Sequence, residues 1–317
     1  MYTIVTKVPQ GVSCVNDALQ SLIAQRKAQT DTVILAHTYQ PPEIIALADI
    51  TGDSFALAKA AAKLPQKRVI MCGVRFMAES VKILAPEKEV ILPAPDAGCG
   101  MAKMITPEDI LAWKQEHPDA CVCAYINTTA AVKAVCDVCV TSSSALKIVS
   151  KLDAEEILFL PDRNLGGWIA ALLPDKKITL WNGYCPVHDN LTEEQVLAAK
   201  AEHPDALLAV HPECREEVVK HADMAGSTAE IIDYALKADK PVIIGTERGV
   251  ADTLTKQYPD KQFYYLCPET LTCPDMKYIT PALLLAAVNG EQGEKIILDE
   301  ELRLAAKKSI DRMLELG

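Results

Sequence analysis

The sequence predicts an α/β protein of three homologous α/β/α units. Each unit is a four-stranded parallel sheet, and the three are related by a pseudo-threefold axis around a central metal site. Three observations predict it. Short apolar runs alternate with helical patterns, the signature of βαβ crossovers. Half of the 317 residues are hydrophobic but only 5% are aromatic, and Ala, Leu, Ile and Val dominate, as suits parallel strands covered by alanine-rich helices. The chain also repeats: Cys99, Cys185 and Cys273 lie 86 and 88 residues apart, each closing a segment of one outline. An apolar run ends in a polar ring residue (His37, Tyr125, His211). An acid follows, five residues before a hydroxyl: Asp49 and Ser54, Asp137 and Ser142, Asp223 and Thr228. Two further apolar runs lead to the cysteine, 62, 60 and 62 residues after the ring.

The elements follow in order. Residues 15–27 read as an amphipathic helix, the core of a terminal helix over 14–28 that packs on the body. In the first unit (30–104), strands are expected at 32–36, around 47–51, at 68–72 and at 89–93. Helices follow Ser54 and the third strand. The second unit (105–191) gives strands at 121–126, 137–141, 155–160 and 178–181, with helices from near Ala130, Ser143 and Gly167. The third (192–281) gives 207–210, 221–225, 241–245 and 263–266, with helices near Glu216, Thr228 and Val250. A last helix spans 297–316. The stretches TPEDILAWKQEHPDA and LTEEQVLAAKAEHPDA are alike: a threonine cap, acids in the first turn and a closing HPDA. They enter units two and three at equivalent places.

The net charge of −11, with no basic stripe, makes nucleic acid and anionic membrane surfaces poor partners. No uninterrupted apolar run is long enough to span a bilayer, and the first ten residues lack a signal-peptide pattern. The expected location is cytoplasmic, with the eleven cysteines mostly reduced.

In parallel α/β sheets ligands bind beyond the carboxyl ends of the strands. The residues there are His37, Tyr39, Ser54, Tyr125, Asn127, Ser142, His211, Glu213, Ser227 and Thr228. The hydroxyls fall at helix starts and are expected to act as N-caps. Helix N-termini also suit phosphate and carboxylate groups. His188 lies three residues after Cys185. Histidine and glutamate suit acid–base chemistry, and Tyr39 and Tyr125 suit proton donation. Cys99, Cys185 and Cys273 all lie in loops beside glycine or proline. Three soft thiolates from distant loops suit zinc or an iron–sulfur cluster, with one coordination position open. Spacing alone leaves both metals open. Cys121, Cys123, Cys136 and Cys139 have zinc-like spacing but fall in apolar strand patterns, which reads as core.

The stretches AHTYQPPEI, ITGDSFALA, CGVRFMAES, PAPDAGCGMA, AYINTTAAVKA, VTSSSA, FLPDRNLG, WNGYCPVH, AVHPEC, AGST, GTERG and CPDMKYIT, in that order over residues 36–281, resemble the quinolinate synthases, the A protein of NAD biosynthesis. The resemblance implies a 4Fe–4S cluster on Cys99, Cys185 and Cys273, with one open iron as Lewis acid. It implies condensation of iminoaspartate with dihydroxyacetone phosphate to quinolinate, phosphate and water. It implies catalytic roles for His37, Tyr39, Tyr125, His188, His211 and Glu213. It implies substrate contacts from His37, Ser54, Tyr125, Asn127, Ser142, His211, Glu213, Ser227 and Thr228. It raises the expectation of functional coupling to L-aspartate oxidase, which would supply iminoaspartate. Some relatives carry a Cys-x-x-Cys-x-x-Cys run where this chain has Cys267, Thr270 and Cys273, so a disulfide switch on that run is not expected here.

Overall fold

The structure is a computed structural model that describes residues 17–317. The residues expected to begin the first helix at 14, and Cys14, lie outside them. The described chain forms two compact units. One holds the chain up to Cys99 together with Glu247–Phe263 and Thr272–Leu298; the other holds Gly100–Thr246, Tyr264–Leu271 and Asp299–Gly317.

Four strands near the start of the chain are β1 (Thr32–His37), β2 (Ile50–Gly52), β3 (Arg68–Cys72) and β4 (Glu89–Leu92). The next four are β5 (Cys121–Tyr125), β6 (Val138–Val140), β7 (Glu156–Leu160) and β8 (Lys177–Leu180). The last set is β9 (Leu207–Val210), β10 (Met224–Ala225), β11 (Val242–Gly245) and β12 (Phe263–Tyr265). Each set makes a sheet of one order: β4-β3-β1-β2, β8-β7-β5-β6 and β12-β11-β9-β10. The predicted repeat is therefore a repeat of topology. A thirteenth strand, β13 (Glu294–Lys295), was not expected; it pairs antiparallel with β4 and covers that edge of the first sheet.

The acid of the repeat turns out to be a strand tie. Asp49 accepts the Ile34 N–H at 2.8 Å, Asp137 that of Val122 at 2.7 Å, and Asp223 that of Leu208 at 2.8 Å. Each acid's own N–H returns to the carbonyl of the same partner. The side chain thus fastens the second strand to the first where the short ladder begins. A lysine pairs with each acid: Lys27, Lys114 and Lys200. These lysines lie on helices Asp17–Gln29, Pro107–Glu116 and Glu193–Glu202. The first helix, read from sequence as a terminal addition, thus stands where the opening helices of the other two repeats stand. Of its described side chains it fully buries only Ile23, and Leu22 is exposed, so its amphipathic character is weaker than expected. Asp137→Ala should lower the unfolding free energy by about 1–2 kcal/mol, read from a urea titration, and leave the far-UV spectrum unchanged.

The first unit's core is the sheet β1, β3 and β4 with Leu57, Ala58, Met77, Val81, Leu284 and Val288. Helix Pro281–Asn289 was missed, although Thr280 caps it through the Leu283 N–H and Pro281 opens it. It ends on Gly290 at φ 78, the left-handed geometry glycine adopts without strain. Arg68 holds that end through the carbonyls of Ala287 and Val288. Helix Glu300–Leu316 belongs to the second unit, capped by Asp299. It packs on Ala130–Ala134 and β6, and its Ser309 Oγ meets the Cys139 thiol at 3.3 Å and the Lys133 carbonyl at 2.9 Å. Cys123 and Cys139 are core thiols, as read from the sequence.

Candidate active site and metal centre

The ring residues end the first strand of each sheet or follow it directly. His37 pairs with Gly52 and Tyr125 with Val140, and His211 follows Val210 opposite Ala225. His37 and His211 share a device. Each Nδ1 accepts the N–H two residues on, Tyr39 at 3.1 Å and Glu213 at 3.3 Å. The neutral rings therefore carry their proton on Nε2, as donors.

In the second unit Tyr125, His188, His211 and Glu213 are buried together. The Tyr125 hydroxyl donates to Glu213 Oε1 at 2.7 Å, and His188 Nδ1 lies 2.9 Å from Glu213 Oε2. The same Nδ1 is 3.2 Å from Cys185 Sγ, and His188 Nε2 is 3.0 Å from the Thr246 hydroxyl. Burial works against charge on Glu213. The neighbouring histidines and the Tyr125 hydroxyl more than offset it and hold the carboxyl below the ordinary carboxylate range. Asn164 donates to the Glu213 carbonyl and to Asp189, which also receives Arg163. That web fixes the backbone under the carboxylate.

His211 is driven down to about 4, chiefly by burial. Its unfolded counterpart titrates near 6.5. Between those values the unfolded chain binds a proton that the folded ring refuses, so stability falls as pH drops through that window. Going from pH 7 to pH 5, the protein should lose about 2 kcal/mol more than a His211→Asn variant. Denaturation midpoints of the two proteins at both pH values test this.

The helix-start hydroxyls need a correction. Of the expected caps Ser227 holds, in a capping box with Glu230; helix Ser54–Lys63 is capped by Asp53, which accepts the Phe55 and Ala56 N–H groups, and not by Ser54. In the second sheet Thr141 Oγ1 accepts the Ser144 N–H. Ser54, Ser142 and Thr228 are the residues after these, so their hydroxyls are not needed as caps. Ser227, by contrast, has its oxygen bonded to Glu230 at 2.7 Å.

The cysteine loops are built with care. In the first unit the Gly98 N–H donates to Asp275 at 3.3 Å, joining the loop of Cys99 to that of Cys273. In the second unit a Cβ on Gly100 would sit 3.2 Å from Pro186 Cγ, beside Cys185. Cys273 is pushed up to about 11, mainly by burial, so its thiolate needs a cation. Cys185, His188 and Glu213 have ligand atoms within 4.8 Å of one another. Cys99, Cys185 and Cys273 are each half-buried, and a half-buried thiol such as Cys185 beside a histidine and a carboxylate has the chemistry of a metal ligand.

Sequence reading gave no role to several residues here. Thr246, Asn164, Asp162, Glu247 and Lys277 lie in stretches it quoted, yet single polar residues in a loop carry no periodic signal. Gly249 belongs with them: a Cβ there would lie 2.7 Å from the Tyr39 carbonyl oxygen. Lys277 Nζ donates to that carbonyl at 2.6 Å.

The profile of the quinolinate synthetase A protein family matches residues 21–315. The chain belongs to the quinolinate synthase family. It is 46% identical to the quinolinate synthase of Caldicellulosiruptor bescii over 95% of this chain and 99% of that one. It is 48% identical to that of Caldicellulosiruptor saccharolyticus, over 93% and 97%, and 46% identical to that of Clostridioides difficile, over 89% and 93%. Quinolinate synthases are enzymes of NAD biosynthesis. Among the described residues no helix is long and apolar enough to cross a membrane.

Proposed function

We propose that this quinolinate synthase condenses iminoaspartate with dihydroxyacetone phosphate, releasing quinolinate, phosphate and two waters. The observation that carries the reading is the buried group Tyr125–Glu213–His188 beside the Cys185 thiol, in a chain of this family. Cys99, Cys185 and Cys273 would hold a 4Fe–4S cluster, and the hydrogen bond from Gly98 to Asp275 and the close approach of Gly100 to Pro186 support that ligand set. When bound, the cluster supplies an open iron as a Lewis acid. We also propose three repeats about a pseudo-threefold axis, divided near 104 and 191, the first beginning at helix Asp17–Gln29. A cytoplasmic location and coupling to L-aspartate oxidase belong to the same reading.

The chain's own residues supply the proton traffic. Glu213, kept ionised by two donors, takes a proton from the carbon that forms the new bond. Tyr125 returns one to an oxygen on the triose. His188 orients Glu213. His37 and His211 offer Nε2–H groups to carboxylate or carbonyl oxygens, and Tyr39 holds the carbonyl end of the triose. Asn127, Ser54, Ser142 and Thr228 receive the anionic groups, with Ser227 fixing its helix end. Burial of the acid–base group excludes water, which protects an imine from hydrolysis.

The test is product stoichiometry. Anaerobic, iron-replete protein given dihydroxyacetone phosphate and iminoaspartate, made in situ from oxaloacetate and ammonia, should release quinolinate and phosphate one to one. Phosphate without quinolinate would reassign the protein to triose phosphate elimination.

A further inference from the structure

The third strand of each sheet ends at one register position. Cys72 pairs with Ala36, Leu160 with Ala124, and Gly245 with Val210. Two residues further along stand Val74, Asp162 and Glu247, and then an arginine in every case: Arg75, Arg163 and Arg248. Asp162 and Glu247 are both 0% exposed. Asp162 Oδ2 accepts the Cys185 N–H at 3.0 Å, and its Oδ1 accepts the Leu165 N–H at 2.8 Å. Glu247 Oε1 accepts the Cys273 N–H at 3.1 Å and Lys277 Nζ at 2.8 Å, while Oε2 accepts the Gly249 N–H at 2.8 Å. From the same place in two repeats, a buried carboxylate grips the backbone of a cysteine.

We propose that Asp162 and Glu247 are positioning residues for the cluster, holding the Cys185 and Cys273 loops in the shape that receives it. The inference rests on the reading of those cysteines as ligands. The chemistry demands carboxylates. Both oxygens of each group face N–H donors, so an asparagine or glutamine would have to turn an NH2 toward a donor. A buried carboxyl group is tolerated only where its oxygens meet donors. A group that only filled space would not need to be acidic.

The first repeat breaks the pattern in an informative way. The Val74 side chain offers no acceptor. The Cys99 loop is instead tied through Gly98 to Asp275, two residues past Cys273. Glu247 thus stands behind two of the three cysteines, directly for Cys273 and through its loop for Cys99. Asp162 stands behind one. The same Glu247 receives Lys277, whose ammonium also holds the Tyr39 carbonyl, so the grip extends to a substrate residue.

The experiment is iron release from anaerobic holoprotein into excess chelator, followed by loss of visible absorption. The proteins are wild type, Asp162→Asn, Glu247→Gln and a Val74→Ala control, with the melting temperature of each iron-free protein alongside. Asp162→Asn should lose iron about tenfold faster than wild type and Glu247→Gln faster again, while Val74→Ala, a core truncation that lowers the iron-free melting temperature without touching a cysteine loop, should release iron at the wild-type rate. Should Glu247→Gln not fold, Asp162→Asn alone decides. Wild-type release rates in a folded Asp162→Asn overturn the proposal, as does acceleration that tracks a fall in iron-free stability. If wild type holds no cluster, or if Cys185→Ala holds it equally well, the ligand reading itself has failed, and that outcome is distinct.

Discussion

Cys185→Ala should yield a folded protein with no cluster and no quinolinate synthesis. Wild type prepared anaerobically should carry about four irons per chain with broad visible absorption, and the variant should lose both. The fold should survive because the side chain is only half-buried and the loop keeps its own anchors. The Cys185 N–H stays on Asp162, and the Asp189 N–H stays on the Cys185 carbonyl. Removing the sulfur deprives His188 Nδ1 of one neighbour but leaves it Glu213. Loss of iron and turnover with a melting temperature near that of iron-free wild type is therefore the expected combination. A cluster indifferent to Cys185, or zinc in its place, would break the three-cysteine reading and the chemistry built on it.

Glu213→Gln should lower kcat by about 10²–10⁴, the usual worth of a positioned acid–base group, with iron content unchanged. Glutamine fits the same volume. Its amide can accept from His188 and donate to the Tyr125 hydroxyl, which is free to rotate, so folding is preserved while the base is lost. Tyr125→Phe removes one of the donors that keep Glu213 ionised and should cost less, about 10–100-fold. If Glu213→Gln retained more than a tenth of wild-type kcat, the base would lie elsewhere. If it shed iron as well, Glu213 would be supporting the cluster instead.

How much of this was legible from sequence varied with the kind of signal. The strands were, because parallel strands buried on both faces read as short apolar runs, and the repeat fixed which runs correspond. The ring residues His37, Tyr125 and His211 were found through that correspondence. The acids Asp49, Asp137 and Asp223 were found too, but not their job: a carboxylate that ties two strands looks the same in sequence as one that meets solvent. Ser227 was found as a cap, but Ser54 was taken for one a residue late, because Asp53-Ser54 offers two capping residues in a row and only backbone geometry chooses between them. Strand β13 has two residues and no pattern. Asp162 and Glu247 escaped for a different reason. Their equivalent in the first repeat is Val74, so comparing repeats hides them, and their importance lies in backbone N–H groups that no sequence displays.

The first unit is assembled from three separated stretches, and this has a consequence for its birth. A chain that has emerged as far as Cys99 has β1 to β4 but not β13, nor helix Pro281–Asn289, nor Glu294, the partner of Arg75. The edge of β4, residues EVIL, is then bare, and bare apolar edges recruit other chains. About 200 more residues must be made before Leu298, which at roughly 5–20 residues per second is a delay of about 10–40 seconds. Nascent chains paused near residue 100 should therefore be the most aggregation-prone species this protein passes through, and those most in need of a chaperone.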